Sequence, residues 1–570
     1  MSKKENAYYL DTIGDFDIPS NAKIYVAETN KAITNALPVT VKNKQKLEVY
    51  RIAHEEIVDF YNAHSSVFME WENSQQFNLW FLEQFRMYFN YREIRLRAQY
   101  IENFLTVEPD GIVLTSDHWI LNRFKNKTQL IDGPKATPKN TGGVKKLMRE
   151  FVIMLARMRF RKPPDTDVVL FSKLVDQVDG KDQRMGQLEK SYNRIISRPL
   201  FDKKARLDKD SINTKLGFNT DHIFIQYLSR LTFPMHLRTF TKAFSKLLDT
   251  LQNSAQNDTV SQFVLGHLRS NKLSLMLYFL KFKSMLRFFK RSNIKAVIMS
   301  DENSPQHKVI QYAAWACGVK SFGLQHGNID ELHQSYMFGR YNNRPLLCNA
   351  TFTWGNYYSD LLISDGGYAQ DAVITTGRIE PVTNVRKVHP KLPRDQKIVV
   401  YATQPIPDSQ LRKQHVKDVM YALKGAAADF CLVLRPHPRE KDDSYFNAIA
   451  SEVGLSHFII DRESDLKTHF ERAHMLITSY STVGSEFVPY NKPLLVLDYL
   501  EQDLMSWVKK GVGHQITNRD KLVAIFQHSP PLDVDTVAHD TFTAQFFYKN
   551  DGLAHERIVT SIEQRLTTQY

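Results

Sequence analysis

The segments CLVLRPHPRE (431–440) and AHMLITSYSTVGSEFVPYNKPLLVLD (473–498) decide how this chain folds. In the first, an apolar run runs into Arg435-Pro436-His437-Pro438. In the second, HMLIT runs into a Ser/Thr/Gly turn that opens a helix, and KPLLVLD supplies the next strand. The pattern places both turns at the carboxyl ends of adjacent parallel strands, where open α/β sheets take their ligands. A hydroxyl-rich turn at a helix start offers backbone N–H groups and a positive dipole end to an anion. Together the two segments imply a pocket for a phosphorylated ligand, with a nucleotide as the first choice.

The same alternation extends toward the N-terminus. DVVLFSKLVD (167–176) reads as a buried strand, and helical patterns follow to about residue 290. KAVIMSDENS (295–304) is a strand ending in acids, QHKVIQYAAWACGV (306–319) a helix, and KSFGLQHGNID (320–330) a strand ending in a polar turn. ATFTWGNYYSDLL (350–362) and DAVITTGRIE (371–380) continue the βαβ rhythm, which implies parallel strands with crossover helices. A second alternating block opens at QKIVVYATQP (396–405). The expected class is therefore α/β, with two Rossmann-like domains facing a cleft and an N-terminal, mainly helical accessory module. The expected boundaries are a module over 1–131, a Pro/Gly/Thr/Lys-rich linker over 132–146 and a first Rossmann-like domain over 147–385. A hinge over 386–397, a second Rossmann-like domain over 398–535 and a helical segment over 536–570 complete the chain.

Bulk properties bound the function. At 570 residues the chain is too long for one core. The three cysteines (Cys317, Cys348, Cys431) are far apart, fit no metal spacing and suit a reducing cytosol. No uncharged apolar run of about 18 residues is present, and MSKKENAYYLDTIGDFDIP has no signal-type apolar core. The expected location is cytoplasmic. The net charge of +13 concentrates partly in KKLMREFVIMLARMRFRK (145–162) and LYFLKFKSMLRFFKR (277–291). Both read either as ordinary helices with cationic solvent faces or as peripheral contacts with the anionic inner membrane. No zinc-finger spacing, RRM motif or basic low-complexity tail points to nucleic acid. No Walker loop, GxGxxG after a strand or HExxH is present, which argues against an ATPase, a typical dehydrogenase and a zinc protease. The three Asp-x-Asp tripeptides (Asp15–Asp17, Asp165–Asp167, Asp533–Asp535) follow no convincing strand of a nucleotide-binding block, so no metal site is expected.

The ordered set KAVIMSDENS, FGLQHG, VITTGR, LRPHPRE, TSYSTVGSE and KPLLVLD resembles bacterial GT-B glycosyltransferases of surface-polysaccharide assembly. The nearest likeness is to capsule and lipopolysaccharide enzymes of the polysialyltransferase and Kdo-transferase kind. Teichoic-acid glycerophosphotransferases share similar His-Pro and Ser/Thr motifs. The resemblance covers about residues 165–535. It implies transfer from a nucleotide-sugar donor, with a CMP-linked acidic sugar favoured, to a glycan or glycolipid acceptor, without an obligatory metal or other cofactor. Competing readings are a nucleotide-sugar 2-epimerase, a teichoic-acid-type glycerophosphotransferase, and a non-catalytic glycan- or nucleotide-binding partner.

Such a transfer needs a base for the acceptor proton and positive charge for the leaving phosphate. The candidate catalytic residues are Asp301, Glu302 and His326, at two neighbouring strand ends. Their structural alternatives are capping of the helix from Pro305 and a satisfied core histidine. Arg435, His437 and Arg439 supply a positive field, and the resemblance makes His437 the donor to a phosphate oxygen. Ser479, Ser481 and Thr482 either cap the next helix or bind phosphate, and Gly484 permits close backbone approach. Glu486 is implied by the resemblance to hold ribose hydroxyls, against the alternative of a favourable acid in a first helical turn. Gln325, Gly327, Gly377 and Arg378 form strand-end turns that complete the candidate nucleotide-sugar site.

Overall fold

In a computed structural model the described residues are 7–11, 22–27, 36–130, 163–173, 177–178, 181–182, 185–197, 219–227, 233–254, 258–379, 389, 392–393, 396–404, 406, 409–426, 429–437, 440, 442–462, 464–499, 501, 503–528 and 532–568. The expected linker over 132–146, the basic stretch 145–162 and Arg439 lie outside them.

Among the described residues, three all-parallel sheets organise the fold. The first joins β1 (Ala7–Leu10), β2 (Lys23–Ala27), β3 (Leu37–Val39), β4 (Ile112–Thr115) and β5 (Thr128–Leu130) in the order β3-β2-β1-β4-β5. This five-stranded sheet is absent from the sequence-based expectation. Its strands are only three to five residues long, too short for a period-2 pattern to stand out. The helices Asn43–Ala63, Ser65–Gln75 and Trp80–Val107 still account for most of the N-terminal module, as expected. Its aromatic residues pack as core, with Trp80 against Tyr61 and Phe68 at ring centroid distances of 5.2 and 4.9 Å.

The second sheet holds β6 (Val168–Lys173), β9 (Asn193–Ser197), β10 (Ala296–Met299), β11 (Lys320–Leu324), β12 (Ala350–Thr353) and β13 (Val373–Thr375). Their spatial order is β13-β12-β11-β10-β6-β9. A two-residue antiparallel pair, β7 (Gln177–Val178) and β8 (Lys181–Asp182), follows β6. The third sheet holds β14 (Lys397–Ala402), β15 (Phe430–Arg435), β16 (Phe458–Ile460), β17 (Ala473–Thr478), β18 (Leu494–Leu497) and β19 (His514–Ile516), in the order β16-β15-β14-β17-β18-β19. The segments AVIM of β10 and LLVL of β18 are buried throughout, as parallel strands covered on both faces must be. One expectation needs correcting here. β15 and β17, which carry the two decisive motifs, are not neighbours, because β14 pairs with both. The first strand of the block is one of the two central ones, as in other doubly wound sheets.

Two features tie the three parts of the chain together. After β19 the chain passes through helix Arg519–His528 and then returns to the second sheet. Ile558 and Ile562 of helix Ala554–Thr567 join Val168, Leu170, Ile298 and Phe322 in one buried cluster. Helix Thr536–Phe547 precedes it and sets Phe546 against Tyr357 at 4.7 Å. The N-terminal module packs on the long β11–β12 connection. Gln84 Nε2 donates to the Gln334 carbonyl at 2.9 Å, and Tyr61 meets Tyr341 edge-on at 5.2 Å.

The basic stretch 277–291 lies mostly in the 31-residue helix Thr259–Phe289. Its apolar face is buried: Phe279, Leu280, Phe282 and Phe288 are inaccessible. Lys283 lies over the Phe279 and Phe282 rings, and Arg287 donates to the Tyr227 carbonyl. With its apolar face packed in the core, this stretch fits the reading of an ordinary helix with a cationic face, and contact with a membrane surface is not shown. Among the described residues no helix is long and apolar enough to cross a membrane.

Candidate functional site

The carboxyl end of the second sheet brings together residues from three strands. β6 ends in Lys173, β10 leads to Asp301 and β11 leads to His326. Lys173 Nζ donates to Asp301 Oδ2, and His326 Nε2 lies 3.6 Å from the same oxygen. That separation is ion-pair range but longer than a hydrogen bond. Burial pushes the Asp301 carboxyl up, but His326 and Lys173 outweigh it and hold the group below the usual carboxylate range. Asp301 is thus a fixed anion beside an imidazole. Nδ1 of His326 is buried, and Nε2 is the nitrogen turned toward Asp301.

Glu302 does not join this group. Thr351 Oγ1 donates to its two oxygens at 3.1 and 3.0 Å, and Tyr368 Oη donates at 3.1 Å. Burial raises its carboxyl above the ordinary range. A Cβ on Gly323 would come within 2.1 Å of Glu302 Oε2, so that glycine makes room for the inward-turned side chain. Adjacent residues leaving the end of a strand diverge, and the sequence alone does not say which one faces the cleft. Helix Pro305–Trp315 starts with Ser304 as N-cap and Pro305 at its first position, and neither acid caps it through its side chain.

The turn around His326 is held on both sides. Gln325 Nε2 donates to the Gly327 carbonyl at 2.8 Å, and Gln325 Oε1 accepts from the Trp354 backbone N–H at 2.8 Å. Trp354 Nε1 donates to the Gln325 carbonyl at 3.1 Å. Beyond the turn, Tyr358 Oη donates to Asn328 Oδ1 at 2.9 Å. Gln325 therefore shapes the turn, while the position a Cβ would take at Gly327 is open.

In the third sheet, Thr403 at the end of β14 accepts the His437 backbone N–H at 3.1 Å and itself donates to Glu440. Glu440 Oε2 accepts the same N–H at 3.2 Å, which fixes the turn that carries the half-buried His437. Arg435 NH1 donates to the Asp461 and Ser464 carbonyls at 3.4 and 2.6 Å. Its guanidinium thus braces the backbone at Asp461 and Ser464. Ser479 Oγ lies 3.1 Å from Nδ1 of His415, a buried histidine whose imidazole burial brings down to about 4. Ser481 caps the next helix by accepting the Val483 N–H at 3.4 Å, and Thr482 is exposed beside it. That helix, Thr482–Phe487, has only six residues. It is too short for the strong macrodipole anticipated at this turn. Gly484 faces the Trp507 ring, where a Cβ would come within 2.4 Å of the ring carbon Cη2. The close approach it permits is therefore to a core tryptophan.

Arg378 and Glu486 meet across the two blocks, with NH1 to Oε2 at 2.6 Å. Arg378 also stacks on the Trp354 ring at 5.2 Å. Gly377 before it has φ +90°, where a side chain would be strained, and Arg557 Nε donates to the Thr376 carbonyl at 2.7 Å. Sequence reasoning missed Lys173, His307, Trp354, Thr403 and His415. His307 bridges the Asp301 carbonyl (2.8 Å) and Ser197 Oγ (3.1 Å) while buried and neutral, burial bringing its imidazole down to about 3. Lys173 had a visible signal, as the one charge closing the apolar run VVLFSK.

Two parallel six-stranded α/β blocks, with site residues at the strand ends of each and a last helix returning to the first block, form an architecture of the GT-B type. Residues 356–564 match the family described as CDP-glycerol:poly(glycerophosphate) glycerophosphotransferase. The match includes Arg378, His437 and Glu486, whereas Asp301 and His326 precede it. No curated protein sequence matches the chain. Among solved structures, the chain is similar to UDP-GlcNAc 2-epimerase from Neisseria meningitidis bound to UDP-GlcNAc. The identity is 11% over 70% of this chain and 99% of that one, with a TM-score of 0.43. Another UDP-N-acetylglucosamine 2-epimerase shares 13% identity over 72% and 99%, with a TM-score of 0.41. The wall teichoic acid polymerase TagF shares 11% over 75% and 98%, with a TM-score of 0.37.

Proposed function

We propose that the protein is a GT-B-type transferase that moves a glycerol-phosphate-type group from a CDP-activated donor to a hydroxyl of a polymeric acceptor. The observation that carries the reaction type is the His326–Asp301 pair, an imidazole beside a carboxylate held ionised at neighbouring strand ends. The donor class is supported by the family match over 356–564. That match favours CDP-glycerol over the CMP-linked acidic sugar to which the sequence resemblance gave first place.

In this reading the acceptor hydroxyl attacks the phosphorus that bears the glycerol. The new acceptor O–P bond forms as the P–O bond to CMP breaks, and CMP leaves with the extra negative charge. His326 Nε2 takes the acceptor proton, and Asp301 stabilises the resulting imidazolium through its charge. His437, on the turn fixed by Thr403 and Glu440, faces the phosphates, and Glu486 takes the ribose hydroxyls. The test is acceptor-dependent CMP release from CDP-glycerol by wild type and His326→Ala. Release by wild type that falls at least a hundredfold in the variant supports the assignment. Equal release by both proteins sinks it.

A further inference from the structure

The Arg378–Glu486 contact occupies the carboxylate that the proposed function gives to the ribose hydroxyls. Its surroundings lead to the catalytic turn through Trp354. Arg378 stacks on Trp354, and Trp354 holds Gln325 through two hydrogen bonds of 2.8 and 3.1 Å. Trp354 also meets Tyr358 edge-on at 6.2 Å, and Tyr358 holds Asn328 at 2.9 Å. Gln325 and Asn328 flank His326-Gly327, so both ends of the turn are fastened to the aromatic pair that carries Arg378. The backbone beneath Arg378 is itself fixed, because Gly377 has a left-handed φ and Arg557 binds the Thr376 carbonyl. A change in the pair is therefore taken up by the guanidinium and its aromatic neighbours rather than by the 376–378 turn.

We propose that the Arg378–Glu486 pair is the link by which a bound nucleotide sets the His326 turn, with Arg378 and Trp354 as positioning residues. This rests on the reading of Glu486 as the ribose-binding carboxylate. Ribose hydroxyls compete with Arg378 for Glu486 and release the guanidinium from it. Trp354 and Tyr358 then shift, and Gln325 and Asn328 move with them. The acceptor base is brought into place only when a donor is present, which guards against proton transfer to an empty site. A purely structural ion pair would not answer to nucleotide.

The test follows hydrogen exchange in peptides covering 324–329, with thermal unfolding in parallel as the measure of CMP binding. The probe is CMP alone, so no acceptor is needed. In wild type, CMP is expected to raise thermal stability and change exchange in 324–329 severalfold. In Arg378→Ala, CMP still stabilises but exchange in 324–329 no longer responds. Glu486→Gln, which keeps the shape of the side chain, shows without CMP the exchange that wild type shows with it. If CMP stabilises wild type while the turn is unmoved, or Arg378→Ala responds as wild type does, the coupling is overturned and the nucleotide site stands. If CMP stabilises neither protein, the nucleotide reading falls, and the coupling with it.

Discussion

Replacing Asp301 by Asn removes one charge at nearly constant shape, and the separation sets the size of the effect. Unit charges 3.6 Å apart interact by about 4–5 kcal/mol at an effective dielectric of about 20. Two features reduce the part that reaches His326. Lys173 binds the same carboxylate oxygen, and the His326 side chain is 24% exposed. Roughly half the gross value remains, about 2–3 kcal/mol of stabilisation lost from an imidazolium-bearing transition state. At about 1.4 kcal/mol per decade this lowers the rate about 30- to 150-fold. The assay is kcat for acceptor-dependent CMP release, with circular dichroism to confirm that the variant is folded. His307 binds the Asp301 backbone carbonyl, so the variant keeps that bond. A kcat within threefold of wild type in a folded Asp301→Asn protein would refute the argument that Asp301 acts by its charge on His326.

Further expectations concern packing, pH and donor binding. Gly484→Ala should destabilise by about 1–3 kcal/mol, because its Cβ meets the buried Trp507 ring, and a lowered thermal midpoint would show it. His54, His307 and His415 are held neutral by burial, with imidazoles brought down to about 4, 3 and 4. Their stabilising contribution is complete above the ordinary imidazole value of about 6.5 and declines as pH falls toward those values. Urea midpoints should therefore drop between about pH 6.5 and 4, less steeply in His307→Gln; a parallel fall in that variant would contradict the assignment. Glu302 has the opposite sign, its carboxyl raised, so its contribution is complete below the ordinary carboxylate value and shrinks as pH rises. The stability of Glu302→Gln relative to wild type should accordingly improve from pH 4 to 8, measured by the same midpoints. Thr403→Val removes the hydroxyl that accepts the His437 N–H and should raise the KM for donor about two- to tenfold with little change in kcat.

Much of the architecture was legible because buried parallel strands write themselves as continuous apolar runs. VVLFSK, AVIM, KSFGL and KIVVYA all appear as strands where the alternation placed them. The N-terminal sheet was not legible, since strands such as LPV carry no periodicity and take their stability from packing on the long helices. The site was readable as a set of strand ends but not as side-chain directions. SDENS offers two acids, and only the fold turns Asp301 to His326 and Glu302 to Thr351 and Tyr368. TSYSTVGSE likewise separates into a serine on His415, a capping serine, a glycine under Trp507 and a glutamate on Arg378. Each of those partners comes from elsewhere in the chain, so local sequence carries no trace of the pairing.

The central claim is phosphoryl-linked transfer from a CDP donor, and the bond formed tests it most directly. Wild type incubated with CDP-glycerol and a glycerol-phosphate-primed acceptor should yield one new phosphodiester per CMP released, seen in the 31P spectrum of the polymer fraction. Turnover from a CMP-linked acidic sugar with no new phosphodiester from CDP-glycerol would contradict the claim and restore a glycosyltransferase reading on the same fold.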